Sequence, residues 1–380
     1  MQDHRPSRFL ITRLSAIGDC ILTMPVANAL RDYFPNALIA WLVEKPASPL
    51  LEGHRAIDEL IVVPRGWLKD ARLVWRLRQR LRRLRFDVAI DPQSLTKSAL
   101  PAWLAGVPTR IGVAKPFGRE LAPWLNNRLV ARSARHVVDV MLQTLTPLGI
   151  DSPTVRFDVP VDEQAEAKAA EFLERRGLRA GFVAMNPGAG WASRRWPLDR
   201  FAAVARHLAA RWSLPSVVMW AGEREKTWAH EIAQQSGGHA LPAPPTSLRE
   251  LASLLRRASL FVGSDTGPLH LAVAVGTTCV SMHGTTPAWQ SGPYGRGHIA
   301  IQEIYQEGTT RQRRKADNDA MQRIAAERVC EACDQLLQNK LVGGAPLAPQ
   351  REHESSALGK AFHFQPSVQV HGQTPRQGKP

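Results

Sequence analysis

Short apolar runs, small polar turns and stretches with apolar residues at helical spacing alternate along this chain. Residues 8–14 read as a buried strand, with Phe9, Leu10 and Ile11 in line. Residues 15–19 form a tight turn. Over 20–33, Ile21, Met24, Ala27 and Leu30 fall near the period of a helix. Further strands are predicted at 38–43, 60–63, 87–90 and 110–113. The pattern pauses over 149–161, where Pro153 and Pro160 sit in a polar stretch, and then restarts. Strands at 182–185, 216–220, 260–262 and 278–282 are interleaved with helices at 198–211, 226–235 and 247–258 and one beginning near Pro268. A last helical pattern covers 311–337. Such alternation implies an open, mostly parallel sheet with helices on both faces. The fold class is therefore α/β, with two such halves in series over 1–155 and 156–340. Residues 344–380 shift to Pro, Gln, Gly, His and Ser and read as a disordered tail.

Composition agrees with two packed domains: 380 residues, 44% hydrophobic and 22% charged. No apolar run is long enough to span a bilayer. Arg13 and Asp19 break the first apolar stretch, so it makes a poor signal peptide and a cytoplasmic location is expected. Cys20, Cys279, Cys330 and Cys333 give no disulfide framework. The single pair Cys330 and Cys333 falls short of a four-ligand zinc site and reads as two thiols near one helix face. The formal charge of +15 asks for an anionic partner, whether nucleic acid, a membrane surface or a phosphate-rich substrate. Residues 67–86 (WLKDARLVWRLRQRLRRLRF) form an amphipathic helical pattern with an arginine-crowded face. That face is either an ordinary solvated cover or a surface drawn to anionic lipid. No recognised nucleic-acid motif accompanies it.

In open α/β sheets, ligands bind beyond the carboxyl ends of the strands. Three small-residue turns stand at such ends. The first, Ser15-Ala-Ile-Gly18-Asp19, uses Gly18 for a tight turn and puts an acid at a helix start. Asp19 serves there either as a first-turn acid facing the helix dipole or as a general base toward a hydroxyl. The second, Asn186-Pro-Gly188-Ala-Gly190, leads to Ser193-Arg194-Arg195-Trp196-Pro197. Its glycines permit close backbone approach and its arginines match phosphate oxygens, although it completes neither a dinucleotide fingerprint nor a Walker A loop. The third, Ser264-Asp265-Thr266-Gly267-Pro268-Leu269-His270, follows a buried strand and opens a helix. The N–H groups of Thr266 and Gly267 would then make an anion site, with Asp265 a possible N-cap.

Taken together these turns resemble glycosyltransferase family 9, the ADP-heptose:lipopolysaccharide heptosyltransferases. The resemblance rests on LITRLSAIGDCILTMPVANALRDYFP, IDPQSLTKSALPAWLAGVPTRIG, MNPGAGWASRRWPLDRFAAVA and FVGSDTGPLHLAVAVGTTCVSMHGTTP, in that order, and AMQRIAAERVCEACDQLL resembles the family's closing helix. It implies two Rossmann-like domains facing across a cleft (GT-B type), acceptor in the first and nucleotide sugar in the second, with inversion at the anomeric carbon. It assigns Asp19 as the general base. It places Asn186 and Gly188 on the donor side, and Arg194, Thr266 and Gly267 toward the donor diphosphate. Glu225 is assigned to the ribose, Asp265 to the donor sugar, His270 to support of that loop, and 282–286 to the pocket border. Ser15, Gly18, Lys97 and Arg119 fall on the acceptor side. Arg194 stands where the family usually carries lysine, which keeps the charge but changes the hydrogen-bond geometry. With no DxD-type cluster, no cofactor and no obligatory metal are expected. The expected partners are ADP-heptose or a similar NDP-sugar and an anionic glycolipid, with peripheral contact at the inner membrane surface and no nucleic acid. Competing readings are a nucleotide-sugar 2-epimerase of the same architecture, a transferase using another NDP-sugar, and a non-catalytic binding protein. The epimerase would need further carboxylates and a histidine around the sugar, which these motifs lack.

Overall fold

A computed structural model describes residues 6–342; the tail expected over 344–380 lies outside the described residues. The first half runs β1 (Arg8–Thr12), α1 (Ile17–Tyr33), β2 (Leu38–Glu44), β3 (Glu59–Val63), α2 (Ala71–Leu84), β4 (Val88–Asp91), α3 (Thr96–Ala105), β5 (Thr109–Val113), α4 (Ala122–Leu125), β6 (Arg128–Val130) and α5 (Val137–Gln143). The second runs α6 (Glu163–Arg175), β7 (Val183–Asn186), α7 (Leu198–Trp212), β8 (Ser216–Val218), α8 (Gly222–Gln235), β9 (Ala240–Pro242), α9 (Leu248–Arg257), β10 (Leu260–Ser264), α10 (Gly267–Ala274), β11 (Cys279–Met282), α11 (Ala288–Ser291), β12 (Ile299–Ile301), α12 (Thr310–Lys315), α13 (Asp319–Gln322) and α14 (Ala326–Val342).

Each half holds one six-stranded sheet, ordered β3-β2-β1-β4-β5-β6 and β12-β11-β10-β7-β8-β9. Every strand pair is parallel. Counted within its own half, each sheet has the order 3-2-1-4-5-6 of dinucleotide-binding folds. Its crevice opens where the order reverses, at β1/β4 and at β7/β10. Alternation along the strands explains how both faces are filled. Phe9, Ile11, Ile39, Trp41, Val88 and Ile90 point to one side, while Leu10, Ala40, Leu42 and Ala89 point to the other. The first of these cores continues into the second half through Phe182, Ala184, Phe261 and Leu269. The two halves therefore share buried apolar surface along α1 and α10.

Residues 151–162 connect the halves without regular structure. The first half holds their early part: Asn28 Nδ2 donates to the Arg156 carbonyl (2.7 Å), and His54 Nε2 lies 3.0 Å from the Phe157 carbonyl. The second half holds the next residues, with Arg256 Nη2 donating to the carbonyls of Val159 and Pro160, both at 2.9 Å.

Several elements differ from the sequence expectation. Strands β6, β9 and β12 have three residues each, too few to display a period. Helix α6 fills the interval before β7, with Asp162 Oδ1 capping the Ala165 N–H at 2.8 Å. The helical pattern over 311–337 is broken into α12, α13 and α14. Helix α2 begins at Ala71, where Asp70 Oδ1 accepts from the N–H groups of Arg72 (2.8 Å) and Leu73 (3.3 Å). Trp67 precedes it in a 3-10 turn and is buried. Cys330 and Cys333 both lie on α14 as free thiols.

Candidate active site

The crevices of the two sheets face each other, and a cavity of about 610 Å³ lies between them. Leu14–Gly18 of the β1–α1 turn and Glu44 line one wall. Asn186, Gly188, Gly190, Glu225, Thr266 and Gly267 line the other. Met219, Trp220, Leu248 and Leu251 make an apolar end. The cavity thus joins turns that lie far apart in sequence.

Asp19 occupies the third position of α1. The Ala16 N–H donates to its Oδ2 at 3.1 Å, and Arg13 Nη2 lies 2.9 Å from its Oδ1. Asp19 remains 43% exposed while Arg13 is 8% exposed, so a buried cation orients an accessible carboxylate. Arg13 is itself fixed: its Nη1 donates to the Pro92 carbonyl at 3.2 Å, and its own carbonyl accepts from Trp41 Nε1 at 3.1 Å. Trp41 is fully buried, so the core beneath the sheet sets the position of this turn.

Gly18 does not work as the tight turn expected of it. It is the second residue of α1 and does not have positive φ. Its missing side chain admits α10: an added Cβ would stand 2.9 Å from His270 Cδ2 and 3.2 Å from Gly267 Cα. Close approach of the two helix starts, rather than backbone freedom, is what this glycine supplies.

On the acceptor side, Lys97 lies near the start of α3. Its Nζ donates to Ser15 Oγ at 2.5 Å and lies 3.3 Å from Glu44 Oε1. Arg119 is exposed; its N–H donates to the Ser94 carbonyl, and it does not line the cavity. Behind this region Asp91 is buried. It accepts from the Ser94 N–H (2.8 Å) and from Asn126 Nδ2 (3.1 Å). Burial nevertheless pushes its carboxyl up to about 6.

In the second half, the N-cap of α10 is Thr266, not Asp265. Asp265 is buried and its carboxylate is fully engaged. Arg194 Nη1 lies 3.3 Å from Oδ2, His270 Nε2 lies 3.3 Å from Oδ1, and Ser291 Oγ donates to Oδ2 at 3.1 Å. Burial works to raise this carboxyl, but the His270 hydrogen bond and the Arg194 charge outweigh it and hold it well below the usual carboxylate range. Arg194, expected on the diphosphate, also donates to the Asp265 carbonyl at 3.1 Å and stacks 3.9 Å over Trp191, outside the cavity lining. Arg195 turns the other way, over Trp228. Glu225 accepts from the Ala221 N–H at 2.9 Å and packs on Gly188, where a Cβ would meet its carboxylate at 2.4 Å. Asn186 Nδ2 donates to the Gly188 carbonyl at 2.9 Å and pins that loop. Residues 282–286 lie behind the lining: His283 and Thr285 are buried, and burial pushes the His283 imidazole down to about 4.

The structure therefore gathers Ser15, Gly18, Asn186, Gly188, Glu225, Thr266 and Gly267 around one cavity. Lys97 reaches its wall through Ser15, and Arg194, Asp265 and His270 form a cluster supporting it. Arg119 stands apart. Sequence reasoning missed Arg13, Glu44, Trp191 and Ser291. Arg13 sits inside an apolar run and gives no signal of its own, because its meaning depends on Asp19 folding back over it.

Two facing Rossmann-like halves, with a helix N-terminus and small-residue loops at their seam, define a nucleotide-sugar glycosyltransferase architecture of the GT-B type. The family model described as glycosyltransferase family 9 (heptosyltransferase) matches residues 74–320, and the chain belongs to that family. It is 28% identical over 338 residues to lipopolysaccharide heptosyltransferase 3 of Escherichia coli, covering 86% of this chain and 98% of that protein. Its fold resembles a family 9 glycosyl transferase from Veillonella parvula, with TM-score 0.73 and 23% identity over 88% of this chain and 97% of the other. It also resembles the E. coli heptosyltransferase WaaC with ADP, with TM-score 0.69 and 23% identity over 87% and 99%.

Proposed function

We propose that this glycosyltransferase moves a heptose from ADP-heptose to a hydroxyl of a lipopolysaccharide inner-core or related glycolipid acceptor, with inversion at the anomeric carbon. The observation that carries the reading is the cavity with the Ser15–Gly18 turn at one wall and the start of α10 at the other, Asp19 following Gly18 with an accessible carboxylate and Lys97 reaching the wall through Ser15. Family membership and the ADP-bearing neighbour support the donor.

The adenine packs at the apolar end made by Met219, Trp220, Leu248 and Leu251, and Glu225 accepts from the ribose. The diphosphate rests on the Thr266 and Gly267 N–H groups at the positive end of α10. Asp19 takes the proton of the acceptor hydroxyl as its oxygen bonds to the anomeric carbon, and the bond from that carbon to the diphosphate oxygen breaks. Negative charge then grows on the leaving phosphate, and preorganised N–H groups stabilise it without a cost of reorientation. Arg194 contributes positive charge from beside Asp265 and holds the loop that presents those groups. No cofactor or obligatory divalent ion takes part in this scheme, so turnover should persist in chelator. Lys97 offers a cation to an acidic acceptor sugar or phosphate. The enzyme works from the cytoplasm as a peripheral protein at the inner membrane surface. No helix among the described residues is long and apolar enough to cross a membrane.

The test is a calorimetric screen of ADP, UDP and GDP, followed by transfer from ADP-heptose. ADP should bind, and Arg194→Ala should weaken it about tenfold, because the loop that presents the Thr266 and Gly267 N–H groups loses its tie to Asp265 and a nearby positive charge. Absence of binding by every nucleoside diphosphate would sink the proposal.

A further inference from the structure

The membrane contact proposed above lacks a docking element, and the arginine face of α2 is poorly suited to the task. Arg80 is paired with Glu59 at 2.7 Å, and Arg78 Nε is tied to the Leu104 carbonyl at 3.0 Å. The densest cluster, Arg82 and Arg83 of that helix with Arg85 just past its end, gathers with Arg8 at the amino ends of β1 and β4. The cavity lies at the carboxyl ends. An enzyme docked there would turn its crevice away from the lipid.

A second basic surface sits at the correct end. The chain leaves the carboxyl end of β5 at Val113 and passes through α4 to β6. Three large apolar side chains stand in solvent on this rim: Phe117 is 46% exposed, Leu121 58% and Trp124 77%. Cations interleave with them. Lys115 Nζ lies 5.9 Å above the Trp124 ring; the Arg132 guanidinium lies 4.3 Å above Phe117 while donating from Nε and Nη2 to the carbonyls of Ala134 and Arg135, so Lys115 is the freer of the two cations. Between residues 115 and 135 the chain carries Lys115, Arg119, Arg128, Arg132 and Arg135 against one acid, Glu120. That acid is occupied, because its Oε2 accepts from the Thr96 N–H at 3.1 Å.

The rim is also fastened to the acceptor wall. The Leu121 N–H donates to Thr96 Oγ1 at 3.1 Å, and the Arg119 N–H donates to the Ser94 carbonyl at 3.0 Å. Thr96 begins α3, and Lys97 follows it into contact with Ser15 at the cavity.

We infer that Phe117, Leu121 and Trp124, with the cations around them, form a wedge that docks on an anionic lipid bilayer and brings the acceptor wall to the headgroups. Aromatic rings insert at the headgroup level while the cations meet lipid phosphates. The inference rests on the glycolipid reading of the acceptor. Its test uses vesicles without acceptor, so the two fail separately.

The experiment compares wild type, the triple variant Phe117→Ser/Leu121→Ser/Trp124→Ser, and the α2 variant Arg82→Ser/Arg83→Ser. Co-flotation is measured with vesicles of phosphatidylglycerol and phosphatidylcholine, and with phosphatidylcholine alone. Wild type should bind the anionic vesicles preferentially. The triple variant should lose binding about tenfold or more, and the α2 variant should lose less, given the per-residue scale of interfacial anchoring. Brominated lipid should quench Trp124, read as the quenching lost in Trp124→Phe. ADP binding should be unchanged in the triple variant, which shows that it is folded. Equal vesicle binding by wild type and the triple variant would overturn the inference. So would wild-type self-association, seen by sedimentation without vesicles and abolished in the triple variant, since a second copy of the chain would then be the occupant of the wedge.

Discussion

Replacing Gly18 with alanine tests whether the site depends on contact between the two halves. An added Cβ would stand 2.9 Å from His270 Cδ2 and 3.2 Å from Gly267 Cα. Carbon pairs rest at about 3.5–4.0 Å, so relief requires a shift of about 0.5–1 Å. Neither neighbour yields easily. Gly267 presents backbone at a helix start, and the His270 ring is buried and held against Asp265 at 3.3 Å. Overpacking of this kind costs about 1–3 kcal/mol. The catalytic penalty should be of similar size, because the strain separates Asp19 from Thr266 and Gly267. A misplacement near 1 Å costs about a hundredfold, so kcat/KM should fall about ten- to a hundredfold. Gly190→Ala is the control for folding stability, since nothing lies within 4 Å of its added Cβ. Calorimetric melting should show Gly18→Ala lowered by a few degrees and Gly190→Ala unchanged. A Gly18→Ala enzyme with wild-type Tm and wild-type kcat/KM would refute the reasoning.

Arg13→Met should cut kcat about tenfold or more while leaving ADP affinity intact, because it removes the cation orienting Asp19. Arg13→Lys should restore only part, since an ammonium does not reproduce the fork between Asp19 and the Pro92 carbonyl. Lys97→Met should raise the KM for acceptor without moving that for donor. It should also destabilise the fold by about 1–3 kcal/mol by leaving the mostly buried Glu44 without its cation. Asp91 gives a pH signature. Its folded carboxyl is raised from 3.8 to about 6, so the native state holds its proton longer than the unfolded chain. Native stability is therefore lost as pH rises from about 4 to about 6, by about 3 kcal/mol in all. Denaturant titrations of wild type and Asp91→Asn should diverge across that window, with the variant gaining on wild type as pH rises. A pH-independent difference would contradict the assignment.

The strands that position the site were legible in sequence because buried parallel strands are short apolar runs ending in small polar turns. The turns at Ser15, Asn186 and Asp265 announced the crevice for the same reason. The edge strands β6, β9 and β12 gave no such signal. Three residues with one neighbouring strand need little apolar character. Polar roles were less legible than polar positions. Asp265 looked like a cap or a sugar ligand, and only the tertiary structure shows both its oxygens committed to Arg194, His270 and Ser291. Gly18 looked like a turn glycine, yet its requirement comes from a helix about 250 residues away in the chain, which no local pattern encodes. Arginine density in 67–86 drew attention to α2, whereas the exposed aromatics at 117–124 became visible only once burial was known.

The central claim is transfer from ADP-heptose with Asp19 as the base, and the direct measurement is single-turnover transfer by Asp19→Asn beside its ADP affinity. The asparagine keeps the shape but cannot take the acceptor proton. ADP should bind Asp19→Asn as it binds wild type, while the transfer rate falls about 10²–10⁴-fold, the usual worth of a general base. Transfer at the wild-type rate would contradict the account.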